Sequence, residues 1–169
     1  GVASASASLA FTIPATYKQI VFGFYNIAPA TDGVNFEFQV NATDSSGYDR
    51  TMTTTFFRAF NYQNGSNAGL GYEAAEDQAE GTAFQSLSSA LGNGADKSTA
   101  GGLHLFNPSS TTYVKQFYSR MDQYHVSAAG VTRDIYVAGY INDTTAIDDI
   151  QFKMSSGNFD GNIYMFGAS

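Results

Sequence analysis

Apolar and polar residues alternate with a period of two along most of this chain. In "VNFEFQVNA" (34–42), Val34, Phe36, Phe38 and Val40 fall on one face and Asn35, Glu37, Gln39 and Asn41 on the other. That is the pattern of a strand with one buried and one wet face. "YKQIVFGFYNI" repeats it, with Ile20, Phe22 and Phe24 opposing Val21, Gly23 and Tyr25. "SLAFTI" (8–13) stops at Pro14, which has no amide to give a ladder. "TDG" (31–33) and "DSSG" (44–47) read as turns. "YDRTMTTTFFRAFNY" (48–62) is strand material, because Thr53, Thr54 and Thr55 are β-branched and resist helix.

Strand patterns return at 102–108, 113–128 and 131–142. The segment 146–169 predicts a closing hairpin around Ser155-Ser156-Gly157-Asn158. In it Ile150, Phe152 and Met154 face Ile163 and Met165 in the core, and Tyr164 and Phe166 point outward. Residues 61–100 break the pattern. They are rich in Asn, Gly, Ser and Ala, and Leu70, Tyr72, Phe84, Leu87 and Leu91 are the residues there that look buryable. They predict a long irregular insertion, with a short strand near 82–88 or a helical turn at "EAAEDQA" inside it. Strands at short spacing joined by turns define an all-β fold. The expectation is one domain, 1–169: an antiparallel β-sandwich of jelly-roll type with about nine or ten strands.

Composition narrows the chemistry. The chain has no Cys and no Trp but 14 Phe and 11 Tyr. Without Cys there is no disulfide, thiolate metal site or Cys nucleophile. The net charge of −7 argues against nucleic acid as a partner, which calls for a clustered positive surface. No run approaches the roughly 18 apolar residues of a membrane span, so no membrane insertion is expected. The opening "GVASASASLAF" has neither a basic region nor a continuous apolar stretch, so an intact signal peptide is not expected there.

The candidate chemistry is thin. His104 and His125 each sit in a strand pattern with no Ser-centred elbow beside them, and read as surface or cross-strand residues. A glycan hydrolase needs two converging carboxylates, for which Glu73 or Glu76 with Asp122 are the candidates. Asp148 and Asp149 are adjacent in a strand and face opposite ways. "DSSGYD" (44–49) lacks the spacing and closing Glu of a calcium loop. No catalytic residue, metal ligand or cofactor is therefore assigned. Exposed tyrosines are the better signal, since each offers a flat apolar ring with a polar edge for sugar or protein contact. Tyr62, Tyr72, Tyr113 and Tyr118 are the candidate binding residues, and Tyr164 and Phe166 the candidate subunit contacts.

The ending "NDTTAIDDIQFKMSSGNFDGNIYMFG" resembles a recurring C-terminal pattern in structural proteins of tailed bacteriophages of marine and cyanobacterial hosts. Ala146, Ile147, Ile150, Phe152, Ser156, Gly157, Asn158, Phe159, Gly161, Ile163 and Gly167 carry the likeness; Phe166 stands where that pattern more often has Tyr. "ASLAFTIPATYKQIVFGFYNIAPATDGVNFEFQVN", "LHLFNPSSTTYVKQF" and "AGYIN" resemble other strands of the same domains. The resemblance implies a non-enzymatic jelly roll on the virion surface: an appendage, tail-fibre or receptor-binding domain, or a capsid decoration protein. Its partners would be other virion proteins, further copies in a homotrimer, and host surface glycan. The alternatives are a cellular carbohydrate-binding module or lectin, and a glycan depolymerase.

Overall fold

The computed structural model describes residues 1–127 and 130–169. Among the described residues there are twelve strands. They are β1 (Val2–Ser6), β2 (Ser8–Thr12), β3 (Gln19–Pro29), β4 (Val34–Ala42), β5 (Met52–Tyr62) and β6 (Ala68–Tyr72). Then come β7 (Gln85–Leu91), β8 (Thr99–Phe106), β9 (Lys115–Tyr124), β10 (Val131–Ile141), β11 (Ile147–Met154) and β12 (Phe159–Ala168). The expected strand 113–128 corresponds to β9, and its last residue, Ala128, lies outside the described residues.

The strands form two antiparallel sheets, an eight-stranded one ordered β1-β12-β3-β8-β9-β10-β5-β6 and a four-stranded one ordered β2-β11-β4-β7. The sheets face each other over one core. Phe152 of β11 sits at its centre, with the rings of Phe11, Phe22, Phe24, Phe36 and Phe38 at centroid distances of 5.0–6.4 Å. Most of these pairs meet edge to face, the arrangement that ring quadrupoles favour. The alternation read in the sequence holds: Ile20, Phe22 and Phe24 are buried, as are Val34, Phe36, Phe38 and Val40.

Four expectations are corrected. Residues 146–169 do not form a hairpin. β11 lies in the small sheet and β12 in the large one, so the Ser155–Asn158 turn carries the chain across the sandwich. Backbone bonds hold that crossing, from Ser155 N–H to Asn35 carbonyl and from Ala30 N–H to Asn158 carbonyl, both 2.9 Å. Ile150, Phe152, Met154 and Ile163 still face one core with Met165 packed at its margin, because strands facing across a sandwich alternate as hairpin partners do.

The 61–100 segment is also more ordered than its composition suggests. It contains β6, β7 and the start of β8, and "EAAEDQA" makes turns rather than a helix. In β7, Gln85, Ser86, Leu87, Ser88, Ser89 and Leu91 are buried, while Leu70, which looks buryable in the sequence, is exposed, as is Tyr72, which the sequence offers both as buryable and as an exposed contact residue. The strand count rises accordingly, with β1 a further strand where no strand was expected.

Finally, the polar face of β4 is not wet throughout. Gln39 is fully buried, its amide donating to the carbonyls of Arg50, Thr82 and Ala83. Loop residues around Tyr48 and Phe84 thus cover part of the small sheet's outer side, with Lys153 Nζ lying 4.4 Å over the Phe84 ring. Among the described residues the outer face of the large sheet has no comparable cover, and it is there that exposed aromatic rings gather.

Candidate functional site

Strand register places two neighbouring rows of side chains across the outer face of the large sheet. One runs Phe166, Val21, His104, Tyr118, Ala138, Thr55 through β12, β3, β8, β9, β10 and β5. The next runs Tyr164, Gly23, Gly102, Arg120, Tyr136, Phe57, Tyr72 and reaches β6. Directly opposed side chains lie close enough to stack, and they do. His104 lies on Tyr118 with centroids 4.5 Å apart, and Phe57 on Tyr136 at 4.9 Å and nearly parallel. Tyr25 meets Tyr164 edge-on at 5.5 Å, and the Arg120 guanidinium lies 5.1 Å from the Tyr136 ring centre. The paired glycines Gly23 and Gly102 leave a low floor between Tyr164 and Arg120, and the Tyr25 ring already occupies the place a side chain at Gly23 would take.

Four of the six candidate residues meet on this face. Tyr118, Tyr164 and Phe166 are about half exposed on it, and Tyr72 joins it from the edge strand. The Tyr72 hydroxyl donates to Asp77, and this bond raises its pKa above the ordinary tyrosine value. Tyr113 stands apart, highly exposed in the loop between β8 and β9. Tyr62 belongs by alternation to the inner side of β5, with its ring edge-on to Phe60, but at the strand's end it lines a surface depression.

That depression occupies about 500 Å³ and adjoins another of about 420 Å³ on the same outer face. Both are lined by Asn61, Ala100, Asp122 and Thr132, so they form one trough across β8, β9, β10 and β5. Asp122 and Asp134 oppose each other directly within it. Like charges so placed repel, and the two are resolved differently. Asp134 accepts two hydrogen bonds from Arg120, at 2.9 and 2.8 Å, and one from the Tyr136 hydroxyl. The Arg120 bond is the main reason the Asp134 carboxyl is held below its ordinary pKa. Asp122 accepts one side-chain bond, from the Thr132 hydroxyl at 2.9 Å.

The hydrolase candidates do not converge. Glu73 is ion-paired to Arg58, which shares the inner side of β5 with Phe56, whereas Asp122 lies on the outer face of β9. Glu76 accepts from the Asn35 amide on β4. The histidines are likewise separate. His104 stacks in the outer row and shares a 2.9 Å hydrogen bond with Gln19, while His125 is half-buried past the end of β9. The His125 pKa is pushed down to about 4, first by burial and then by the charges of Arg133, Arg58 and Lys97. Its Nδ1 accepts the Ser127 N–H, which requires that nitrogen to be unprotonated. Among the described residues no three His, Cys, Asp or Glu side chains are placed to hold a metal ion.

Sequence reasoning passed over Arg120, Asp134, Tyr136 and Phe57, which complete the outer rows. Each lies in a strand that alternates cleanly, so its outward direction was legible. What brings them together is the order of strands in the sheet, which alternation does not encode. Comparison with protein-family models, curated proteins and solved structures finds no match for the chain.

Proposed function

We propose that this chain is a non-enzymatic jelly-roll module of a tailed-bacteriophage particle, an appendage, tail-fibre or receptor-binding domain or a capsid decoration. It acts by contact with other virion proteins and with host surface glycan. The observation that carries the reading is strand order. With β1, β12 and the β9–β10 hairpin set aside, the remaining strands numbered one to eight read 1-8-3-6 in the small sheet and 2-7-4-5 in the large one. Two interlocked Greek keys generate that order, and viral capsid and lectin domains are among its users. Fold alone does not carry function. The second support is the open aromatic face, where Phe166, Tyr164, Tyr118 and Tyr72 present apolar area with polar edges, a composition enriched where proteins meet. The third is the sequence resemblance to phage structural proteins.

A homotrimer assembled through the β12 side of this face, at Tyr164 and Phe166, is the expected state. Light scattering coupled to size exclusion should give a mass near three times 18.1 kDa, and a Tyr164→Ser, Phe166→Ser double variant should run as a monomer. A chain that stays monomeric at every concentration removes the fibre reading. The decoration reading is then tested by whether the purified chain binds capsids and raises their resistance to heat.

A further inference from the structure

The trough on the outer face is lined by polar side chains that the protein itself leaves largely uncommitted. The side-chain amides of Asn61 and Gln63 and the hydroxyls of Tyr62 and Tyr124 line it, and among the described residues none of these four groups has a hydrogen-bond partner. Asp122 is exposed, has no cationic partner among the described residues, and is held in orientation by the Thr132 hydroxyl. The floor is low because Ala59, Ala100 and Gly101 supply it. Gly101 has a φ of +156°, and a Cβ there would meet the Arg120 carbonyl oxygen and the Met121 sulfur of β9. The size falls within the range of small-molecule sites, roughly 300–1,000 Å³.

These features select among ligand classes. A cation would find one uncommitted carboxylate, since the charge of Asp134 is matched by Arg120. A phosphate or other anion would find a single guanidinium, already held by Asp134 in two hydrogen bonds. A nucleic acid would meet a chain of net charge −7. An apolar ligand would leave the amides and hydroxyls unpaired at a cost. An uncharged sugar fits all of them. Vicinal hydroxyls donate to a fixed carboxylate, side-chain amides both donate and accept, and the apolar face of a pyranose lies against a phenol ring.

We propose that this trough is a binding site for an uncharged oligosaccharide. Asp122 and Asn61 take the hydroxyl groups of one residue, and Tyr124 and Tyr62 form its aromatic wall. One face of Tyr124 is backed by Lys97, whose Nζ lies 4.9 Å from the ring centre. The proposal rests on the contact-module reading above, which supplies a binder rather than a catalyst.

The test is an amide NMR titration of the full chain with maltotetraose, cellotetraose and triacetylchitotriose as probes. Saturable shifts confined to amides of 59–63, 98–101, 120–124 and 130–134, with at least one probe, are expected. Asp122→Asn, which preserves shape, and Asn61→Ala should each weaken that binding about tenfold or more, a change of about 1.4 kcal/mol. Val2→Ala, exposed on β1 at the far edge of the sheet, should leave it unchanged. No saturable shift with any probe, or binding indifferent to Asp122→Asn and Asn61→Ala, overturns the site. Shifts in the same amides on adding calcium chloride, with none from sugars, overturn it in favour of a cation. Shortening of a bound probe would leave the site standing and overturn the non-enzymatic reading instead.

Discussion

Phe152 touches more rings than any other aromatic residue in the core, and its place on the second strand of the small sheet explains why. From there it faces Phe22 and Phe24 across the sandwich and Phe38 alongside. Phe152→Ala should lower the free energy of unfolding by about 3–5 kcal/mol in urea denaturation, because the rings around it cannot all collapse into the gap. Phe166→Ala, on the open face, should cost about 0.5 kcal/mol or less. Equal losses would mean that the outer face is packed in the isolated chain. His125 makes a pH signature. Its folded pKa of about 4 lies below the ordinary value of 6.5, so between these values the unfolded chain takes up a proton that the folded chain refuses. Stability is therefore full above pH 6.5 and falls progressively toward pH 4. A His125→Asn variant, which keeps an acceptor for the Ser127 N–H, should show a flatter profile across that window. An unchanged slope would assign the acid loss to the carboxylates. Lys115 shows what alternation could reveal at this scale. It is in phase with Phe117 and Met121 and fully buried, its ammonium donating to the carbonyls of Asp143 and Thr145. The phase was legible; the two carbonyls that make its burial tolerable belong to a loop distant in sequence.

At the scale of single elements, alternation reports which way a side chain points, not what it faces. The β11–β12 crossing has the same in-and-out pattern as a hairpin, and only the sheet in which each strand finds its ladder differs. Gly157, at φ +75°, is the residue that lets the turn cross. Gly157→Ala should destabilise the fold by about 1–2 kcal/mol, from the left-handed backbone alone, as read from thermal or urea unfolding. β7 was legible only as a short strand near 82–88, with a helical turn as the alternative, and its start lies three residues later than that. Its buried residues are mostly polar, so no apolar stripe announced it, and side-chain hydrogen bonds make its burial possible. Gln85 accepts from the Thr54 hydroxyl at 2.7 Å and donates to the Glu76 and Ser86 carbonyls, each at 2.9 Å. Gln85→Leu should therefore cost about 1–3 kcal/mol despite its greater hydrophobicity, because it strands partners away from water. A stabilised variant would mean that water reaches those groups.

For the molecule as a whole, the pairing of ends governs folding. β1 pairs with β12 and β2 with β11, so the first strands cannot be completed before the last are made. Such non-local pairing places refolding on the scale of milliseconds to seconds; a refolding phase completed within microseconds in a temperature-jump experiment would contradict this order of assembly. The all-β class and the buried faces were legible from period-two patterning, whereas the division of strands between two unequal sheets was not, since it depends on long-range pairing. One of those inequalities reaches further. The strands β8, β9, β10 and β5 alternate in direction, so lifting out β9 and β10 together would leave β8 and β5 antiparallel and able to pair. Parity allows strands to be spliced into this position two at a time and never singly. Arg120, Asp122, Tyr124, Thr132 and Asp134 all lie on that pair of strands. Changes confined to the outward residues of those two strands can therefore reshape the trough's lining while Phe117, Met121, Ile135, Val137 and Ile141 on their inner side stay in the core.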